Sequence, residues 1–170
     1  MHEQFRMFAA YNRWANEKLY DAVATLPEED YRRDVGAFFK SMNGTLNHLL
    51  VADRIWMRRF TGEGMNPDRL DAIIHPAFGD LRSARQAEDQ RIIGYVAALS
   101  PQTLNETFSY TTITLPEPIT QHLAPALSHF FNHQTHHRGQ AHTILSLLGK
   151  KPPQLDLLYF QRSDEGITFA

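Results

Sequence analysis

Apolar positions recur along this chain at steps of three and four, the spacing of one face of an α-helix, in four separate stretches. Phe5, Phe8, Ala15, Leu19, Ala22 and Leu26, with Asn12 among them, predict a first helix over 3–26 that Pro27 ends. The connection at 27–40 is long and reads as irregular. Ser41 is placed to cap a second helix that runs to about Phe60, with Met42, Leu46, Leu49, Trp56 and Phe60 in line and Gly62 as its stop. Gly62, Gly64, Pro67, Pro76 and Gly79 make 61–79 a loop. Asp80 then caps a third helix, which aligns Leu81, Ala84, Ile92, Tyr95 and Leu99 before the Ser100-Pro101 break. Between 105 and 120 the β-branched and aromatic run FSYTTIT, followed by LPEPIT, predicts a short hairpin or an extended crossover. Pro125 suits the first turn of a fourth helix, and Gly149, Pro152 and Pro153 stop it near Leu148.

Four helices without an internal repeat or a low-complexity segment predict an all-α four-helix bundle with a long crossover, formed as one domain over 1–170. Length and composition agree with this. A chain of 170 residues buries a sizeable core unaided, and 42% hydrophobic with 21% charged residues is ordinary for a globular protein.

Composition also narrows the chemistry. The absence of cysteine excludes disulfide scaffolds, thiolate metal sites and cysteine nucleophiles, so any transition metal must use His and carboxylate. A net charge of −2 with interspersed signs argues against nucleic acid as a partner. The trio Arg54, Arg58 and Arg59 reads as a solvated helix face. MHEQFRMFAAYNRWANEKL lacks the pattern of a secretory signal, and no apolar run reaches the ~20 residues that span a bilayer, so a cytoplasmic protein without a membrane partner is expected.

Five of the nine histidines fall within LSHFFNHQTHHRGQAHTIL. At about 100° per residue, His133 and His137 continue the stripe of Ala126, Phe130, Ala141, Ile144 and Leu148, while His129, His136 and His142 point elsewhere. Two histidines one turn apart can reach one metal ion, and such a pair is also common as a polar edge or a hydrogen-bonded core pair. Inward imidazoles need a compensating partner, which a metal in a bundle core supplies. His48 is the histidine inside the second helix; it lies off the Leu46-Leu49-Trp56 stripe but above Ala52 and Ile55, and serves as third ligand or as a core residue. Asp53 and Glu88 also fall on apolar stripes. Asp53 can orient a ligand histidine or pair with an arginine, and Glu88 is an option for a fourth ligand.

At these residues the chain resembles the DinB family, the DinB/YfiT-like superfamily of metal-binding four-helix proteins, which is unrelated to the DNA polymerase sharing the name. YNRWAN (Tyr11 to Asn16), LNHLLVADRIW, NHQTHHRGQ (Asn132 to Gln140) and PPQLDLLYF carry the likeness over nearly the whole chain. The resemblance implies a crossover between the second and third helices, a homodimer, and one divalent transition metal on His48, His133 and His137. Zinc or nickel is expected first, with iron, manganese, copper or cobalt as other options. It further implies a metal-dependent enzyme with a small-molecule substrate, either a transferase that uses a low-molecular-weight thiol cosubstrate or a hydrolase. Three protein ligands leave an open position on the ion, as catalytic sites do. The competing reading is a non-catalytic metal-binding stress protein, and neither names a catalytic residue.

Overall fold

The computed structural model describes residues 1–112 and 117–170. In chain order its helices are α1 (His2–Val23), the short α2 (Glu28–Arg32), α3 (Met42–Thr61), α4 (Phe78–Ala98), α5 (Leu123–Leu147) and the short α6 (Leu157–Gln161). The four predicted helices are α1, α3, α4 and α5. Their ends follow local chemistry where that chemistry is strong. The Ser41 hydroxyl accepts from the Gly44 N–H at 3.1 Å and caps α3, while Gly62 ends it in the left-handed region at φ 77°. Gly149 does the same after α5 at φ 72°.

Two expectations change. The 27–40 connection holds α2, which begins after Pro27 and buries Tyr31. Helix α4 starts at Phe78, so Asp80 lies within its first turn and Ala77 stands at the cap without a side-chain bond. Packing fixes that end instead. Phe78 stacks on Tyr20 and meets Tyr31 edge-on, with ring centroids 5.8 and 5.5 Å apart.

Side-chain pairs give the directions of the helices. His2 reaches the Val96 carbonyl at one end of α1 and Arg82 pairs with Asp21 at the other, so α1 and α4 are antiparallel. Asp53 meets Arg85 and Thr61 meets Arg91, so α3 and α4 run the same way. Gln134 donates to the Leu49 carbonyl and Phe130 meets Phe60, which sets α5 against α3. The order is therefore up, down, down, up. A parallel pair cannot be joined by a tight turn, so 62–77 travels back along the ~30 Å of α3. This is the crossover between the second and third long helices.

A hairpin of β1 (Thr107–Tyr110) and β2 (Ile119–His122) leads into α5, with Thr107 opposite His122 and Tyr110 opposite Ile119. Residues 113–116 of that predicted segment lie outside the described residues. The apolar core of the bundle has two halves, beside a third cluster of Tyr11, Trp14, Ala15 and Phe160 where α1 meets α6. Leu19, Leu46, Leu50, Leu81 and Ile144 fill one end, and Phe5, Met57, Ile92, Leu127 and Phe130 fill the other. Buried polar residues separate them, among them Asn12, Asn16, Asp53, Arg85, Asp89, Gln134 and Arg138. The histidines of α3 and α5 sit at the edge of this middle layer. No described helix is long and apolar enough to cross a membrane.

Candidate metal centre

Every residue of α3 from 42 to 53 is buried, because α4, α5 and the flanking connections cover that half of the helix on all sides. His48 is therefore inside although it lies off the main apolar stripe. Antiparallel packing then lays one turn of α5 across it. The Nε2 of His48 stands 3.4 Å from Nε2 of His133 and 3.2 Å from Nε2 of His137. Among the described residues these three form the group able to hold a metal ion, with all ligand atoms within 4.8 Å of one another. Two ligands of a tetrahedral ion with bonds of about 2.0–2.1 Å stand ~3.3–3.4 Å apart. The observed separations match that edge.

Nδ1 settles what Nε2 can do. His48 Nδ1 donates to the Leu70 carbonyl at 2.8 Å, and His137 Nδ1 donates to Oε1 of Gln140 at 2.7 Å. With each Nδ1 carrying the proton, each neutral ring presents a lone pair at Nε2. Two acceptors then face each other at 3.2 Å, which is repulsive unless a cation lies between them. Protonation does not supply that cation near neutrality. Burial lowers the pKa of His48 from 6.5 to about 4, against a smaller opposing effect of the Leu70 carbonyl, and that of His133 to about 3 with help from the neighbouring histidines. His137 is shifted in the same direction, again chiefly by burial.

The support for these rings comes from residues the apolar pattern does not mark. Phe39 stacks on His48 with centroids 3.9 Å apart and planes 17° from parallel. It passes this close because position 44 is glycine; a Cβ there would collide with the Phe39 carbonyl oxygen. The Leu70 carbonyl belongs to the crossover, which Asn47 clamps at His75: the Asn47 amide donates to the His75 carbonyl at 3.1 Å and accepts from its N–H at 2.9 Å. Above the histidines opens a cavity of about 210 Å³, lined by His48, His133, Trp56, Arg59, Leu70 and His129 among others.

A model of the DinB family matches residues 1–167. The chain belongs to the DinB family. Protein DinB of Bacillus subtilis (strain 168) is 24% identical over 165 residues, taking in 91% of this chain and 93% of that protein. The crystal structure of a DinB-like protein from Bacillus cereus ATCC 10987 matches with a TM-score of 0.60 at 16% identity, covering 83% of this chain and 90% of that one. The latter likeness speaks for the fold alone.

Each stretch that resembles the DinB family has a visible task in the structure. In YNRWAN, Asn12 and Asn16 both donate to Asp89, at 3.2 and 2.9 Å, while the Tyr11 hydroxyl donates to the Leu155 carbonyl at 2.6 Å. In LNHLLVADRIW, Asn47 holds the crossover, His48 faces α5, and Asp53 pairs with Arg85 at 2.6 Å. Asp53 also accepts from Gln134 and touches no histidine, so of its two expected roles it takes the pairing with arginine. In NHQTHHRGQ, His133 and His137 face α3 while Gln134 and Arg138 face the core. His136 is exposed against Gln140.

Glu88 is not brought to the histidines. It binds Arg91 at 3.0 Å and lies 3.9 Å from Arg54, so the fourth-ligand option is not realised. The arginine trio of α3 does not form one solvated face either. Arg58 is exposed and donates to the Gly64 carbonyl, Arg54 is partly buried between His75 and Glu88, and Arg59 lies against the rings of Trp56 and Tyr110. The three diverge because the crossover and the hairpin fold onto the same end of α3.

Proposed function

We propose that this chain binds one divalent transition metal through His48, His133 and His137 and is a metal-dependent enzyme acting on a small molecule, by thiol transfer or by hydrolysis. The carrying observation is the pair of facing Nε2 lone pairs on His48 and His137, 3.2 Å apart with both Nδ1 protons committed elsewhere. A divalent ion held there supplies a Lewis acid with a free coordination position and lowers the pKa of a water or thiol that meets it. The residues do the rest. The Leu70 carbonyl and Gln140 hold the tautomers, Phe39 shields one face of His48 from water, and Trp56, Ile55, Ala52 and Leu70 give the cavity an apolar wall. Because that cavity opens onto His48 and His133, a substrate has a place to stand, which favours catalysis over a purely structural ion.

Elemental analysis of untagged protein after loading with zinc or nickel tests the metal. About one ion per chain is expected, lost in His137→Ala and kept in His136→Ala, whose ring is one residue away on the exposed side. Negligible occupancy in the wild type, or occupancy indifferent to His137→Ala, overturns the proposal.

A further inference from the structure

The floor of the cavity above the histidines is a single stripe of α3. His48, Ala52, Ile55 and Arg59 all line it and follow one another at steps of four, three and four, so they share one helix face. One end of the stripe is an imidazole of the three-histidine group and the other end is a cation. Between them the small side chain of Ala52 leaves room. His48 and Arg59 are separated by ~16 Å along the helix axis, and side chains lean toward the helix N-terminus, so the Arg59 side chain reaches back toward His48.

Arg59 is held but not neutralised. Its guanidinium carbon lies 4.6 Å from the Trp56 ring and 4.7 Å from the Tyr110 ring. These contacts fix its position and use none of its in-plane N–H donors. No carboxylate pairs with it among the described residues, whereas the other two arginines of the trio are bound to carbonyl or carboxylate groups. The half-buried setting also works against its charge, through loss of hydration. An anion entering the cavity relieves that penalty. One guanidinium matches one carboxylate in a two-pronged fork. No second Lys or Arg lines the cavity, so a singly charged group suits it better than a phosphate dianion. At about 210 Å³ the space lies below the ~300 Å³ at which drug-sized pockets begin, so it admits a small molecule or one end of a larger one.

We propose that Arg59 is the recognition end of this site: it takes the carboxylate of a small substrate whose reacting end lies over His48 and His133. This rests on the metal reading above. It makes the substrate a carboxylic acid carrying a soft or acidic group at the far end of a short chain, and it makes Arg59 a specificity residue.

The test uses full-length protein loaded with cobalt and a series of thiols from 3-mercaptopropionate to 6-mercaptohexanoate, each compared with its uncharged amide. Sulfur binding adds a charge-transfer band to the cobalt spectrum, so dissociation constants are read without any assay of turnover. At least one acid in the series should bind about tenfold more tightly than its amide, the scale of one good charge-assisted contact. Arg59→Gln should bring that ratio to about one with the amide's affinity and the cobalt bands unchanged, and Arg59→Lys should keep the acid favoured. Equal binding of every acid and its amide in the wild type, or a preference that survives Arg59→Gln, overturns the role of Arg59 while leaving the metal site standing. If no thiol adds the band at all, the open-site reading fails and this inference falls with it.

Discussion

A neutral imidazole whose Nδ1 proton is spent on a carbonyl can only accept at Nε2, and His48 is in that position beside His137 at the same disadvantage. The consequence is a pH dependence in the metal-free protein. In the unfolded chain His48 and His133 take up protons around pH 6.5, whereas in the folded chain they do so only at about 4 and about 3. Between those values the unfolded state binds more protons, so the stability these two rings contribute is full above pH 6.5 and is lost as pH drops toward about 4 and 3, while Asp53, raised by burial to about 7, contributes in the opposite sense. For His48 alone the loss is on the order of 3 kcal/mol. Urea midpoints measured with chelator between pH 7.5 and 4 should fall further in the wild type than in His48→Asn, a comparison in which the carboxyl contributions cancel. A gap between the wild type and His48→Asn that is independent of pH in that window would mean that His48 is not held neutral. Of this site, His133 and His137 were legible from helical phase because they continue the Phe130 and Ala141 stripe. His48 was marked as the histidine inside the second helix, above Ala52 and Ile55, but because it lies off the main stripe its role as ligand or core residue stayed open until the likeness of LNHLLVADRIW to a known family implied the ligand. The bond from His137 to Gln140 was not legible, because a contact three residues along the same helix leaves no mark in apolar periodicity.

Elements carry the site as much as ligands do. Helix α3 offers His48, but the connection before it supplies the Phe39 ring and the crossover after it supplies the Leu70 carbonyl. Neither was readable in advance. A backbone carbonyl in a loop has no residue-type signature, and its position is set by the Asn47 clamp on His75, a contact between α3 and a segment 28 residues away. Gly44 is the corresponding device at the other end, allowing the Phe39 backbone to cross the start of α3. Gly44→Ala should therefore cost about 1–3 kcal/mol by forcing that crossing apart, and it should weaken zinc binding although it touches no histidine. Asn47→Ala leaves the partly buried His75 N–H and carbonyl short of a partner, at about 1–3 kcal/mol for the lost bonds. It should loosen 62–77 and raise hydrogen exchange there. Thermal unfolding with competitive zinc titration checks both variants; a Gly44→Ala protein with wild-type stability and affinity would show that Phe39 is free to move without consequence.

At the scale of the whole molecule, two features of the sequence have different fates. The family resemblance implies a homodimer, and apolar surface left over on the first two helices would favour one. On α1 much of it is covered within the chain, where Phe160 of α6 packs against Tyr11 and Trp14 at 5.9 and 5.8 Å. Light scattering decides the oligomeric state independently of that argument. The second feature is the polar layer between the two core halves. It joins all four long helices: Asn12 and Asn16 of α1 bond Asp89 of α4, Asn12 accepts from Arg138 of α5, Arg85 of α4 meets Asp89 at 3.0 Å and Asp53 of α3 at 2.6 Å, and Asp53 accepts from Gln134. Periodicity did mark Asn12 and Asp53 as polar residues on apolar stripes, but it missed Arg85, Asp89, Gln134 and Arg138, because it scores one face per helix and these lie on a second.

Within that layer Asp53 and Asp89 face two guanidiniums, Arg85 and Arg138, and all four are at least 97% buried; burial raises the pKa of both carboxyls, Asp53 to about 7, and the Arg85 guanidinium opposes that rise, so the acids are balanced only while it is there. Breaking such a balance is costly because it leaves a charge in a poorly hydrated place, whereas removing a matched pair need not be. Arg85→Met should therefore destabilise by about 3–5 kcal/mol. Arg85→Met combined with Asp53→Asn, which leaves Asp89 and Arg138 balanced, should be more stable than Arg85→Met alone despite carrying an extra substitution. Urea unfolding of the two single variants and the double measures the coupling. Because Gln134 sits between His133 and His137 on α5 and is tied through Asp53 to α4, the same series should move the zinc affinity in step with stability. Additive losses in the cycle would show that the layer is a set of independent bonds; a double variant firmer than Arg85→Met would show that charge balance fixes how α5 sits on α3, and with it the spacing of the three histidines.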